Sequence, residues 1–290
     1  MESDGKPLRD VLDLGHRYLE EQGVTEARLK CEMLLSRLLG VPRLELHVHR
    51  DQLLRQTKLE AMRRGLKRLR DGEPVQHVLG ETGFMDHVFK TDRRALIPRP
   101  ETEVLVRRVL EDPSVWAADR PCIVDVGTGS GCIVLSLAAA RPAARYLAVD
   151  VSEEALALAK ENAQRLGLHE HVIFYSGDLG DVVEPEMLDA IVANLPYIPS
   201  DELATLERSV REYEPHLALD GGMSGLDLIT NLIADAAIVL KPHGKIFLEI
   251  GSEQGGAVSR LLQESGFGDI ELLQDLQGRD RVVCGILAMS

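Results

Sequence analysis

The 290-residue sequence has no run of roughly 18 or more consecutive apolar residues, the length a membrane-crossing helix takes. Its cysteines are few and scattered: Cys31, Cys122, Cys132 and Cys284 form no C-x-x-C pair. That spacing argues against a disulfide framework and a zinc site, and suits reduced thiols in a cytosol. His47 with His49 and His169 with His171 are H-x-H pairs without a third ligand, so no metal is expected. Basic excess is also missing. A net charge of −14 argues against a broad nucleic-acid footprint, which needs a basic face against phosphates. No Gly-Lys-Ser/Thr follows the glycine-rich stretch, which excludes a Walker loop. The opening residues MESDGKPLRD are acidic and polar, unlike a secretory leader, so a cytoplasmic protein without a membrane partner is expected. Internal repeats and low-complexity tracts are absent too.

What is present is an ordinary globular composition, 44% hydrophobic and 28% charged, long enough for one large or two modest domains. The charge is unevenly spread. Residues 1–80 hold 15 Lys/Arg against 13 Asp/Glu, net +2, leaving 18 against 34, net −16, of the totals of 33 and 47. Apolar residues recur at helical spacing through Leu8, Val11, Leu12, Leu14, then Leu29, Met33, Leu34, Leu38, then Leu59, Met62, Leu66 and Leu69. With punctuation at Gly23, Gly40-Val41-Pro42 and Gly72-Glu73-Pro74, this predicts a bundle of four or five short helices. The basic run Arg63-Arg64, Lys67-Arg68 and Arg70 suits a solvated helix face, or an electrostatic contact with a partner. Two short strands are expected around Asp86-His87. The proline-stiffened run Ile97-Pro98-Arg99-Pro100-Glu101-Thr102-Glu103 then leads into an amphipathic helix. Glu101 and Glu103 suit that helix's N-terminus as well as they suit a ligand contact.

From residue 120 strands and helices alternate: Cys122–Val126, a helix over 132–140, Tyr146–Asp150, a helix over 153–166, Val172–Tyr175, Ala190–Ala193, a helix over 226–240, Lys245–Ile250, a helix over 255–265 and a terminal strand pair. Such βαβ alternation predicts an α/β fold, a doubly wound and mostly parallel sheet. The expected division is a helical domain over 1–78, a β-hairpin linker over 79–96 and an α/β domain over 97–290.

The chemistry sits where strands should end. Asp125 precedes Gly127-Thr128-Gly129-Ser130-Gly131, a G-x-G-x-G turn rather than the G-x-G-x-x-G dinucleotide fingerprint. Glycines there let a ligand reach backbone N–H groups at a helix N-terminus. Asp150 ends the second strand 19 residues after Gly131, placed to accept hydrogen bonds from ribose hydroxyls. Asp178, with Leu179, ends the third segment and suits either a base contact or a loop cap. Together these residues resemble the S-adenosylmethionine site of class I methyltransferases.

Asn194-Leu195-Pro196-Tyr197 follows the fourth strand. In such enzymes this pattern marks methylation of a planar nitrogen on an amide, adenine or cytosine. The Asn194 side-chain carbonyl and the Leu195 backbone carbonyl suit the two N–H bonds, orienting the nitrogen and stabilising the charge it develops. Pro196 stiffens the turn, and Tyr197 offers a flat apolar wall. Further segments resemble the HemK/PrmC family of release-factor glutamine methyltransferases: residues 72–80, Ile97 to Glu103, Asp125 to Gly131, Val210-Arg211 with Tyr213-Glu214-Pro215, Ala218-Leu219 before Gly221-Gly222, and Gly278 to Val282. The resemblance spans about 70 to 290 and implies methylation of the glutamine amide in the Gly-Gly-Gln tip of a peptide chain release factor. It implies S-adenosyl-L-methionine as cofactor and S-adenosyl-L-homocysteine as product, no metal, a role in translation termination, and no direct contact with nucleic acid. Asn-Leu-Pro-Tyr departs from the family's usual Asn-Pro-Pro-Tyr and is the form common in ribosomal RNA adenine dimethyltransferases. Those usually carry Glu at the second strand end and tend to be basic. The alternatives are therefore an rRNA adenine N6-methyltransferase, or a cofactor-binding protein without activity.

Overall fold

The computed structural model describes residues 5–288. The chain forms two compact units. One runs to Glu81 and takes in Glu207–Tyr213; the other comprises Thr82–Leu206 and the chain from Glu214 onward.

The first unit is helical: α1 (Leu8–Glu21), α2 (Ala27–Leu39), α3 (Gln56–Arg70) and α4 (Val75–Leu79), with the paired two-residue strands β1 (Lys6–Pro7) and β2 (Leu53–Leu54). Helical spacing produces its core. Leu8, Val11 and Leu19 of α1 bury with Leu34 and Leu35 of α2 and Met62 and Leu69 of α3, leaving charged residues outward. A 3₁₀ turn at Arg43–Glu45 occupies the punctuated stretch after Gly40.

The second unit opens with a hairpin, β3 (Glu81–Phe84) and β4 (His87–Lys90), then α5 (Thr102–Glu111), β5 (Cys122–Val126), α6 (Cys132–Ala140), β6 (Arg145–Asp150), α7 (Glu153–Leu166), β7 (Val172–Ser176), α8 (Leu179–Val182) and β8 (Leu188–Ala193). After α9 (Arg208–Tyr213), which belongs to the first unit, come α10 (Asp227–Val239), β9 (Leu240–Glu249), α11 (Gly255–Glu264), β10 (Phe267–Gln274) and β11 (Asp280–Leu287). Among the described residues a seven-stranded sheet runs β10-β11-β9-β8-β5-β6-β7, with β11 antiparallel to both its neighbours and the other pairings parallel. This is the α/β, doubly wound, mostly parallel sheet that the alternation predicts.

Burial on both faces explains the unbroken apolar strands. Along β8, Ala190 and Val192 enter a core with α5 and α6, while Ile191 and Ala193 face the opposite core with α10 and α11. Phe84 and Phe89 of the hairpin, stacked edge to face at 6.1 Å, are buried in the first of these cores. One strand differs from the sequence reading. Pro242-His243-Gly244 reads as a break between helix and strand, yet β9 starts at Leu240. The register jumps from Leu188↔Leu240 to Ala190↔Lys245, so the intervening residues bulge, with His243 at φ 65°. Proline's missing N–H and glycine's freedom make that bulge tolerable inside a strand.

From β5 the chain winds to β6 and β7 on one side, then returns to place β8 on the other. The crevice where the two directions part is where α/β sheets bind ligands.

Candidate active site

Register brings the sequence motifs together. Val126 pairs with Ala193 on one side and Val149 on the other, and Asp150 pairs with Ser176. The glycine turn, Asn194, Asp150 and Gly177-Asp178 therefore all leave the same edge of the sheet. A cavity of about 580 Å³ opens there, within the range of small-molecule sites.

The turn after β5 lines it through Gly127, Thr128, Gly129 and Ser130. Gly127 and Gly129 hold φ at 69° and 55°, and a Cβ on Gly127 would come 2.9 Å from Leu195 Cδ2. The positive φ is what calls for glycine at that position. Gly127 and Thr128 donate their N–H groups to the Val149 carbonyl at 2.8 and 3.0 Å, which pins the turn to β6. Gly131 does not reach the cavity: it caps α6, and a Cβ there would sit 3.0 Å from Leu135 and 3.2 Å from Ala159. Its absent side chain serves the close packing of α6 on α7.

Asp125 is fully buried and likewise absent from the cavity wall. Its Oδ2 accepts from the Thr128 hydroxyl at 2.7 Å and the Val134 N–H at 3.2 Å, so it organises the turn from beneath. Burial pushes its carboxyl up to about 7 against these two donors, and Oδ1 has no hydrogen-bond partner.

Asp150 lies on the wall. One oxygen accepts from Gly129 N–H at 2.8 Å and the other from Ser152 N–H at 2.9 Å. Burial raises its pKa while these amides restrain it. Two oriented oxygens with spare lone pairs are thus presented to a ligand's hydroxyls. Asp178 and Leu179 line the cavity beyond, Asp178 at the N-cap position of α8 with no side-chain capping bond.

Asn194, Leu195 and Pro196 form the facing wall. The Asn194 amide donates through Nδ2 to Thr102 Oγ1 at 3.2 Å. Tyr197 turns off this cavity, its ring beside Gly251 and its carbonyl accepting from Gln254 Nε2 at 3.0 Å. Burial, then the Glu249 charge, pushes the Tyr197 hydroxyl up to about 12. The Asn-Leu-Pro-Tyr turn rests on a second one. Ile198 exchanges bonds with Leu219 and Gly221, and a Cβ on Gly221 would lie 2.7 Å from the Pro196 carbonyl. That contact gives the Ala218-to-Gly222 signature a physical reason.

The Ile97-to-Glu103 run is tied down by one buried acid. Glu214 accepts from the Ile97 N–H at 3.0 Å and pairs with Arg99, while Ile97, Pro98, Arg99 and Thr102 line the cavity. Arg99 therefore both faces the cavity and braces the run. Glu103 serves structure, accepting from Met85 N–H at 2.8 Å and from Arg107. Among the described residues no group of three or more His, Cys, Asp or Glu is arranged to hold a metal ion.

Two site residues escape the sequence reading, Thr102 and Glu249. Thr102 passes there for an ordinary helix-start residue. Glu249 ends the apolar strand Phe247-Leu248-Glu249, and an acid at a strand's carboxyl end is the same signal that picks out Asp150.

Comparison with known proteins agrees with this geometry. A family model described as the PrmC N-terminal domain matches residues 10–80, and the methyltransferase small domain matches 101–225. A release factor glutamine methyltransferase of Geobacter sulfurreducens is 40% identical over 96% of both chains. That of Moorella thermoacetica is 42% identical over 94% of this chain and 96% of its own. A crystal structure of a methyltransferase from Pyrococcus furiosus shares the fold at 16% identity, with a TM-score of 0.51 over 69% of this chain and 89% of that one.

Proposed function

The chain belongs to the release factor glutamine methyltransferase family, and from that membership we propose that it methylates the side-chain amide nitrogen of glutamine in the Gly-Gly-Gln motif of peptide chain release factors. The observation that carries this reading is the pairing of two walls in one cavity. Asn194 and Leu195 share its lining with a glycine turn and an oriented aspartate, Asp150.

The residues fit S-adenosyl-L-methionine. The open face of Gly129, where an added Cβ would meet nothing nearer than 3.8 Å, admits a ligand against the backbone, Asp150 suits ribose hydroxyls, and Asp178 with Leu179 suits the base. When bound, it supplies a sulfonium methyl group and is left as S-adenosyl-L-homocysteine. No protein-bound metal is called for by the residues assembled here.

An amide nitrogen is a poor nucleophile because its lone pair is delocalised, so the chain's contribution is orientation and charge stabilisation. The Asn194 amide spends an N–H on Thr102, which leaves Oδ1 to accept one N–H of the substrate amide. The Leu195 carbonyl accepts the other. Both acceptors face a nitrogen whose positive charge grows as its new bond forms, and the proton leaves afterwards without a dedicated base. Pro196 holds Leu195 extended. The helical unit is proposed to recognise the release factor, with its Arg63-Arg64-Lys67 face as an electrostatic contact. A cytoplasmic protein of translation termination follows from this reading; no helix among the described residues is long and apolar enough to cross a membrane.

The test is incubation with labelled cofactor, a release factor and ribosomal RNA together. Label in the release factor is expected. Label in RNA alone would overturn the reading in favour of adenine, and label in neither, with cofactor bound, would mark a binding protein.

A further inference from the structure

Glu249 closes β9 one residue beyond Leu248, which pairs with Ala193 of β8, so its place in the sheet is beside Asn194. It is 2% exposed, and its Oε2 has no hydrogen-bond partner. A carboxyl buried this way is unfavourable, and an apolar side chain there would pack at lower cost. Its neighbour in the strand register is the residue on which the proposed chemistry turns. The Thr102 hydroxyl and the Asn194 amide both act on its carboxylate and favour its charged form.

We propose that Glu249 is the positioning residue of methyl transfer: it takes the second N–H of the Asn194 amide, Thr102 taking the first, so that Asn194 presents only its carbonyl to the substrate nitrogen. The inference rests on the role given to Asn194 above. An Asn amide turned by 180° about its last bond would meet the substrate's N–H bonds with N–H bonds of its own. Two acceptors behind Asn194 prevent that turn. In its ionised form Glu249 also polarises the Asn194 carbonyl toward the developing positive charge, as a carboxylate does behind any hydrogen-bonded pair.

The groups facing Glu249 come from every element around it. Arg281 of β11 favours its charge, with Thr102 and Asn194; Glu101 before α5 opposes it. Cys132 of α6 and Tyr197 after β8 both feel it. Burial outweighs the favourable contacts and pushes the carboxyl up to about 7. Methyl transfer in the wild type should therefore rise with pH through neutrality.

The experiment compares Glu249→Ala and Glu249→Gln with wild type, in the full chain, by single-turnover transfer to an intact release factor at several pH values. Glu249→Ala should lose roughly 100-fold in rate, the scale of losing one preorganised electrostatic contact. Cofactor affinity and the KM for the release factor should stay within about threefold, since only transition-state orientation is affected. Glu249→Gln keeps an acceptor for Asn194, so it should recover most of that loss at low pH and show a flattened pH profile. A merely structural acid would move stability and leave both the kcat-to-KM split and the profile alone. Unchanged rates in Glu249→Ala, or equal losses in rate and cofactor binding, would overturn the proposal. Asn194→Ala separates the two levels. If it is inactive while the Glu249 variants are normal, only the inference about Glu249 fails; if it is active, the reading of the site itself fails.

Discussion

At the residue scale the proposed function divides its labour between Asn194 and Asp150. Asn194 faces the cavity with its amide nitrogen engaged by Thr102, so its carbonyl is the group on offer. Asn194→Ala is expected to lower kcat by about 10²- to 10³-fold, the range for a preorganised contact to the reacting group. Cofactor affinity, read by calorimetry, should be nearly unchanged; a matching loss of affinity would contradict the role. Asp150→Ala should do the reverse and weaken cofactor binding first, because the carboxylate also orders Gly129 and Ser152. Unchanged affinity would remove the ribose assignment. These two residues are legible in sequence because each ends its own strand. Thr102 and Glu249 are not, because Thr102 meets Asn194 across 92 positions and Glu249 reaches it through strand register. The local pattern also overreads Gly131 and Tyr197, which sit in the right motifs but point elsewhere.

At the element scale the glycine turn depends on α7. Asn162, with no exposed surface, accepts from the Lys90 N–H at 2.7 Å and donates to the carbonyls of Lys90 at 3.2 Å and Ser130 at 2.9 Å. One amide thus joins the hairpin strand, α7 and the turn. Asn162→Ala should lower unfolding free energy by roughly 2–4 kcal/mol, since it strands several buried backbone groups. Cofactor affinity should fall with it; denaturant unfolding within 0.5 kcal/mol of wild type would show the bridge to be dispensable. The βαβ alternation made the central elements readable, because each buried strand is a short apolar run bounded by turn residues. The bulge in β9 and the chain over 200–218 were not readable. The latter is held by a contact distant in sequence, Glu214 against Ile97.

At the scale of the whole molecule, buried acids set how stability depends on pH. Asp125 and Glu249 are both pushed up to about 7 by burial, from ordinary values of 3.8 and 4.5. Between those ordinary values and about 7 the folded chain keeps protons that the unfolded chain has lost. Their contribution is complete at low pH and declines as pH rises through 7. Asp112 runs the other way: burial opposes its charge, but Lys245 and Ser114 overcome that and hold it down at about 2. Its contribution is present above 3.8 and lost as pH falls toward 2. Urea unfolding from the ordinary values of 3.8 and 4.5 up to about 7, the interval over which Asp125 and Glu249 lose their extra protons, should show stability falling with pH. Glu249→Gln should reduce that slope, and a slope identical to wild type would refute the burial argument for Glu249. Charge is also divided unevenly along the chain, net +2 over residues 1–80 and −16 over the remainder.

The most direct measurement is the site of the transferred methyl group. A release factor carrying Gly-Gly-Gln and a variant carrying Gly-Gly-Ala are incubated with this protein and labelled S-adenosyl-L-methionine, and the products are mapped by fragmentation mass spectrometry. One methyl on the glutamine side-chain nitrogen, absent from the alanine variant, is the expected result. A methyl elsewhere in the release factor, equal labelling of the alanine variant, or label found only in added ribosomal RNA would contradict the assignment of Asn194 and Leu195 to a glutamine amide.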